Sequence, residues 1–133
     1  MNYKIINFPI RANEIGSMVD FEGNKDIPFD IKSLFYTLYI KEKDIIKYNN
    51  AYNNAKSVLV MLSGSCKVKV FSDDGREVIE LNTPNKGLFL NKMVWKEIYD
   101  FSDGSVMMVF LSELLDDIDY INTYEEFLSK FNK

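Results

Sequence analysis

Between residues 58 and 111 the chain is a series of short apolar runs, each closed by a turn signal. Val58-Leu59-Val60-Met61-Leu62 is apolar on both parities, as a strand covered on both faces must be. Ser63-Gly64-Ser65 turns the chain, and Cys66, Val68 and Val70 then alternate with Lys67 and Lys69, the period-2 pattern of a half-buried strand. Asp73-Asp74-Gly75 supplies a hairpin, because an Asp-Gly pair tolerates the positive φ that tight hairpins require. The chain returns over residues 77–81, turns at Pro84-Asn85-Lys86-Gly87 and runs on through Leu88-Phe89-Leu90. Residues 94–99 and 106–111 form a last pair, joined by Ser102-Asp103-Gly104. Strands recurring about every 8–12 residues between such turns predict an all-β sandwich or barrel.

The flanks complete this picture. Residues 3–8 read as a first strand stopped by Pro9, which cannot donate to a ladder, and residues 17–21 as a second ended by the polar loop 22–26. Leu34-Phe35-Tyr36-Thr37-Leu38-Tyr39-Ile40 is rich in aromatic and branched residues, as a strand is. At the other end the period changes. Apolar residues fall at Ile121, Tyr124, Phe127, Leu128 and Phe131, the steps of three and four that mark an amphipathic helix over residues 118–131. Thr123 and Glu126 have the spacing of a capping box. The 133 residues fit one domain, 1–133, and 47% hydrophobic residues is ample for a core.

Composition excludes more than it suggests. A net charge of −4 argues against a general nucleic-acid binder, whose footprint is a basic face. No apolar run reaches the roughly 18–20 residues of a membrane span, and the N-terminus lacks a signal-peptide pattern. A single cysteine, Cys66, makes no internal disulfide and fits a reducing cytoplasm. The chain contains no histidine. Ser-His-Asp and Cys-His chemistry are therefore excluded, and zinc or copper sites lose their commonest ligand. No metal and no cofactor are expected.

Two segments carry candidate chemistry. Lys47-Tyr48-Asn49-Asn50-Ala51-Tyr52-Asn53-Asn54 reads either as a polar loop or as a strand. In the strand reading Tyr48, Asn50 and Tyr52 share a face and project into a barrel mouth. In Trp95-Lys96-Glu97-Ile98-Tyr99, strand parity sends Trp95, Glu97 and Tyr99 one way and Lys96 and Ile98 the other. Trp95 is then core with Glu97 a solvated charge, or Glu97 points inward beside aromatics, where burial raises its pKa toward acid–base use. Cys66 and the run Val106-Met107-Met108-Val109 read as packing.

Several stretches carry a family resemblance in order along nearly the whole chain. They are Ile27-Pro28-Phe29-Asp30-Ile31-Lys32, Leu62-Ser63-Gly64-Ser65-Cys66-Lys67-Val68, Asn85-Lys86-Gly87-Leu88, Met93-Val94-Trp95-Lys96-Glu97 and Tyr124-Glu125-Glu126-Phe127. The chain resembles the small cupin sugar 3,4-ketoisomerases that act on dTDP-4-keto-6-deoxyglucose. That resemblance implies an all-β cupin jelly-roll barrel with a short C-terminal α-helix. It also implies a homodimer that exchanges strands, and a dTDP-linked keto-deoxysugar as ligand. The family's Arg-Gly-x-His-Ala-His motif is matched here by Lys47, Tyr48, Asn49, Asn50, Ala51 and Tyr52. Other polar family positions are occupied by Ile15, Ser33, Ser57 and Lys96, while Tyr36, Trp95 and Glu97 are retained. By this match the candidate catalytic residues are Tyr52, Asn50, Tyr36 and Glu97, and the candidate substrate-binding residues are Lys47, Ser57, Trp95, Tyr99 and Ser33.

Two functions are compatible with these residues. One is a 3,4-ketoisomerase of deoxysugar and surface-polysaccharide biosynthesis with an impaired or altered acid–base set. The other is a catalytically silent cupin that binds a sugar nucleotide or a partner enzyme. An isomerase predicts Glu97 facing Tyr52 in a deep pocket. A silent binder predicts Asn amides spent on local turns.

Overall fold

The computed structural model describes residues 2–38, 40, 49–73 and 75–131. Its strands are β1 (Tyr3–Asn7), β2 (Arg11–Ala12), β3 (Ser17–Met18), β4 (Ser33–Thr37), β5 (Ala51–Tyr52), β6 (Ser57–Ser63), β7 (Cys66–Ser72), β8 (Gly75–Leu81), β9 (Lys86–Leu90), β10 (Trp95–Tyr99), β11 (Val106–Leu111) and β12 (Tyr120–Ile121). Helix α1 spans Tyr124–Phe131. One sheet has the order β1-β9-β6-β11-β4 and the facing sheet the order β10-β7-β8. Short ladders pair β12 with β5 and β2 with β3. The sheets face each other as a jelly roll without closing into a continuous ladder.

Strand parity divides the core into layers. On β6, Leu59 and Met61 enter the space between the sheets, whereas Val58 and Val60 point to the outer face. β11 behaves the same way, with Met107, Val109 and Leu111 inside and Met108 and Phe110 outside. The facing sheet contributes Cys66, Val68, Val70 and Ile98. Burial pushes the Cys66 thiol up to about 12, as expected of packing rather than of a nucleophile. The run 58–62 is apolar on both parities because the N-terminal segment covers its outer face. Phe8, Phe21, Ile27 and Phe29 lie there, with Phe21 4.8 Å from Phe8 and 4.9 Å from Phe110 between ring centroids.

The turns follow from their residues. Gly64 has φ +78°, and a Cβ there would sit 2.5 Å from both Ser102 Oγ and Ser105 Oγ. The close approach lets Ser65 N–H donate to Ser102 Oγ at 2.9 Å, which ties the β6–β7 turn to the loop before β11.

Three expectations change in detail. The second strand shortens to Ser17–Met18, because Val19 and Phe21 are drawn onto the outer face of the large sheet. The C-terminal helix begins at Tyr124 rather than near residue 118, since Tyr120 and Ile121 pair with Tyr52 and Ala51. Thr123 Oγ1 accepts the Glu126 N–H at 3.2 Å, so the capping spacing marks the true start. Part of the Asn/Tyr cluster is strand, at Ala51–Tyr52, while Lys47 and Tyr48 lie outside the described residues. Among the described residues no helix is long and apolar enough to cross a membrane.

Candidate active site

A polar cluster between the sheets starts from the parity of β10. Val94 and Ile98 are buried in the inner core, and Lys96 lies on the same side between them. Opposite Lys96 on one flank is Val70 of β7. On the other flank Lys96 forms an isolated antiparallel bridge with Asn50, whose N–H donates to Lys96 O at 3.1 Å and whose O accepts from Lys96 N–H at 2.9 Å. The bridge joins the β12–β5 pair to the edge of β10 and places both side chains on one face. Lys96 Nζ donates to Asn50 Oδ1 at 2.5 Å. It also stands 3.8 Å from the centroid of the Tyr52 ring, two residues along on the same side. Tyr52 meets Tyr120 edge-on, 5.6 Å between centroids.

These groups border a cavity of about 110 Å³. Its polar lining is Asn50, Tyr52, Lys96 and Tyr120, and its apolar walls are Phe35, Leu59, Ile98, Met107 and Val109. The walls set the electrostatics. Lys96 is 4% exposed, and desolvation lowers its pKa from 10.5 to about 7. Desolvation also raises the Tyr52 phenol well above its ordinary value, with a smaller contribution from Tyr120. Tyr120 is raised in turn by desolvation and by Asp116. Near neutral pH the cluster thus combines an amine able to hold or release a proton with two phenols that stay protonated. In the sequence Lys96 stands out only as a departure from the family pattern. The signal that could have found it is a lysine on the inner parity of a strand, flanked by Val94 and Ile98.

The other candidates lie elsewhere. Trp95 is on the outer face of β10, buried against Tyr124 and Phe127 of α1. Its Nε1–H donates to Glu97 Oε2 at 3.0 Å, and Glu97 also pairs with Lys69 at 4.0 Å. The expectation that Glu97 faces Tyr52 is corrected on this point: the alternation that sends Lys96 inward turns Glu97 outward. Tyr99 shares that outer parity and is half-buried. Tyr36 is 59% exposed on the outer side of β4, while its neighbour Phe35 reaches the cavity. Ser33 Oγ donates to Glu113 O at 2.7 Å. Ser57 is buried on the parity of Leu59, and its Oγ has no hydrogen-bond partner among the described residues. The asparagines divide by role. Asn54 Nδ2 donates to Asp117 O at 2.8 Å, Asn53 Nδ2 to Asp119 Oδ2 at 2.9 Å, and Asn49 Oδ1 accepts Ile98 N–H at 3.3 Å. Asn50 is the one whose amide turns to the cavity lysine.

Two facing sheets with a polar cluster buried between them define a small cupin-type jelly roll. The chain belongs to the family described as FdtA, the WxcM-like C-terminal domain, whose model matches residues 1–132. It is 40% identical over 129 residues to the TDP-4-oxo-6-deoxy-alpha-D-glucose-3,4-oxoisomerase of Aneurinibacillus thermoaerophilus, which covers 96% of this chain and 91% of that one. Among solved structures it is similar to a 3,4-ketoisomerase from Helicobacter canadensis, with TM-score 0.89, 34% identity and coverage of 100% and 99%. It is also similar to QdtA, a sugar 3,4-ketoisomerase from Thermoanaerobacterium thermosaccharolyticum solved with TDP, with TM-score 0.86, 32% identity and coverage of 98% and 95%.

Proposed function

We propose that this protein is a cytoplasmic 3,4-ketoisomerase acting on a dTDP-linked 4-keto-6-deoxyhexose in deoxysugar biosynthesis for surface polysaccharide. The observation that carries the reading is the buried cluster of Asn50, Lys96 and Tyr52 inside a fold matched end to end by ketoisomerases. Isomerisation oxidises C3 from alcohol to ketone and reduces C4 from ketone to alcohol through an enediol. It needs a group that moves a proton between carbons and a donor for the oxygens, but no external oxidant. Tyr52, held protonated by its surroundings, is suited to donate to the C4 oxygen, and Asn50 to hold its neighbour in place. No metal or organic cofactor is required by this chemistry.

The active species in this reading is a homodimer. Its support is β4, an edge strand of the large sheet that carries Leu34 and Tyr36 on an exposed face, an arrangement that a second copy would cover. Ser33 and Tyr36 would then sit at the subunit boundary. Nucleic acid and membrane are not among its partners.

A second reading, a silent cupin that binds a sugar nucleotide or a partner enzyme, is favoured by the small cavity and by the Asn53 and Asn54 amides being tied to Asp119 and Asp117. Calorimetric titration with dTDP, followed by NMR of dTDP-4-keto-6-deoxyglucose in the same sample, separates the two. Saturable binding with movement of the keto group from C4 to C3 is the expected result. Binding without turnover establishes the silent cupin, and neither binding nor turnover removes sugar nucleotides from consideration.

A further inference from the structure

We infer that Lys96 is the catalytic base of this histidine-free chain, carrying the proton between C3 and C4 of the keto sugar; the inference rests on the isomerase reading above. The argument begins with what the cavity contains. Among the described residues that line it, only the Lys96 amine and the phenols of Tyr52 and Tyr120 titrate. The elements packed around Lys96 present Leu59 from β6, Met107 and Val109 from β11, Phe35 from β4 and Val70 from β7, and none of these carries a charge. Tyr52 faces it from β5 and Tyr120 from β12. A phenol whose pKa is raised is a donor, and removing a proton from carbon is beyond it near neutral pH. Asn50 accepts from the amine and cannot itself exchange a proton. The carbon-to-carbon transfer therefore falls to the amine.

The environment suits the amine to that task. Desolvation brings it to about 7, so that both protonation states are present at working pH. Asn50 Oδ1 at 2.5 Å fixes one N–H, and the Tyr52 ring face at 3.8 Å favours the ammonium formed in mid-reaction. In the forward direction the neutral amine takes the C3 proton. The C3–H pair becomes the C3=C4 bond, the C4 carbonyl π pair moves to its oxygen, and that oxygen takes the Tyr52 hydroxyl proton. The C3 hydroxyl then gives its proton to Tyr52 as C3=O forms, and C4 takes the proton held by the ammonium. Lys96 and Tyr52 end as they began, with C3 oxidised and C4 reduced by two electrons.

The test compares the full chain with Lys96→Met and Lys96→Ala, following NMR turnover and exchange of the C3 proton with D₂O from pH 5.5 to 9. Unmodified protein is expected to show kcat rising through an acid limb near pH 7. Lys96→Met, an apolar side chain of similar length, is expected to keep dTDP affinity and fold while losing about 10²–10⁴ in kcat and C3 exchange. Lys96→Ala is expected to recover part of its rate with added methylamine or ethylamine, in proportion to amine basicity. A purely structural lysine would give no such basicity series. Lys96→Met with unmodified kcat and an unmoved acid limb overturns the assignment and leaves the isomerase reading standing. Lack of both turnover and exchange in unmodified protein overturns the isomerase reading, and the assignment with it.

Discussion

Lys96 and Asn50 meet twice, through reciprocal backbone hydrogen bonds of 2.9 and 3.1 Å and again through their side chains, Nζ to Oδ1, at 2.5 Å. The double contact couples architecture to chemistry. The backbone bridge is what attaches β5 and β12 to β10, and the side-chain contact holds the buried amine against the Tyr52 ring.

Replacing Lys96 by Met is expected to change how stability depends on pH. The folded-state amine titrates near 7, against 10.5 ordinarily. Above pH 7 the unfolded chain holds a proton that the folded chain has released, so rising pH favours folding. The gain is at most about 1.4 kcal/mol per pH unit for one group. Cys66 acts in the opposite sense above its ordinary value of 9.0, because its folded thiol holds its proton to about 12. The clean window is therefore pH 7 to 9. Urea unfolding at several pH values should show the rise in unmodified protein and its loss in Lys96→Met. An equal rise in both proteins would contradict the buried amine.

Asn50→Ala removes the acceptor of a buried donor and should cost about 1–3 kcal/mol in chemical denaturation. It also withdraws a partner that favours the charged amine, so the acid limb of activity should move to lower pH. An unchanged midpoint would mean that the side-chain contact contributes nothing.

Tyr52→Phe keeps the ring beneath Nζ and deletes only the hydroxyl. Thermal unfolding should therefore shift by no more than about 1 kcal/mol equivalent, while kcat drops about 10²-fold or more through loss of the oxygen donor. Equal losses in stability and rate would make Tyr52 a packing residue only.

Gly64→Ala should be strongly destabilising. The position combines φ +78° with an approach of 2.5 Å to the hydroxyls of Ser102 and Ser105. A cost of about 1–3 kcal/mol follows from the strained conformation, with more if the serine contacts are displaced. Differential scanning calorimetry that finds less than about 0.5 kcal/mol would show that the turn relaxes freely.

The strands of the fold were legible because their signals are local. Residues 58–62 and 106–111 are apolar runs, and the Cys66–Val70 alternation with Gly64 and Gly75 at its ends sets pairing and turns without long-range information. The pairing of the shortest strands is not legible in the sequence. Ala51–Tyr52 and Tyr120–Ile121 exist because they pair with each other across the fold, reinforced by the Asp119 N–H donating to Asn54 Oδ1. Two-residue segments carry no period. Tyr52 and Asn50 were reached through the family match and the shared face of a strand. Lys96 is hard to find because a lysine in sequence reads as a surface residue, and only the neighbours on its parity argue otherwise. Parity in the sequence leaves Glu97 either solvated or inward, and the inward Lys96 fixes it on the outer side with Trp95.

The order of the large sheet has a consequence for the making of the protein. Tyr3 of β1 pairs with Leu90, and β4 meets the rest of its sheet only through β11, the last long strand. During synthesis the N-terminal strands must therefore wait for most of the chain to leave the ribosome. Meanwhile the run 58–62 emerges apolar on both sides, before either β9 or β11 exists to flank it. The nascent protein passes through a stage in which its stickiest segment is complete and the strands that flank it are not. Yield in a cell should accordingly depend on elongation rate and on holding chaperones more than on the stability of the finished molecule.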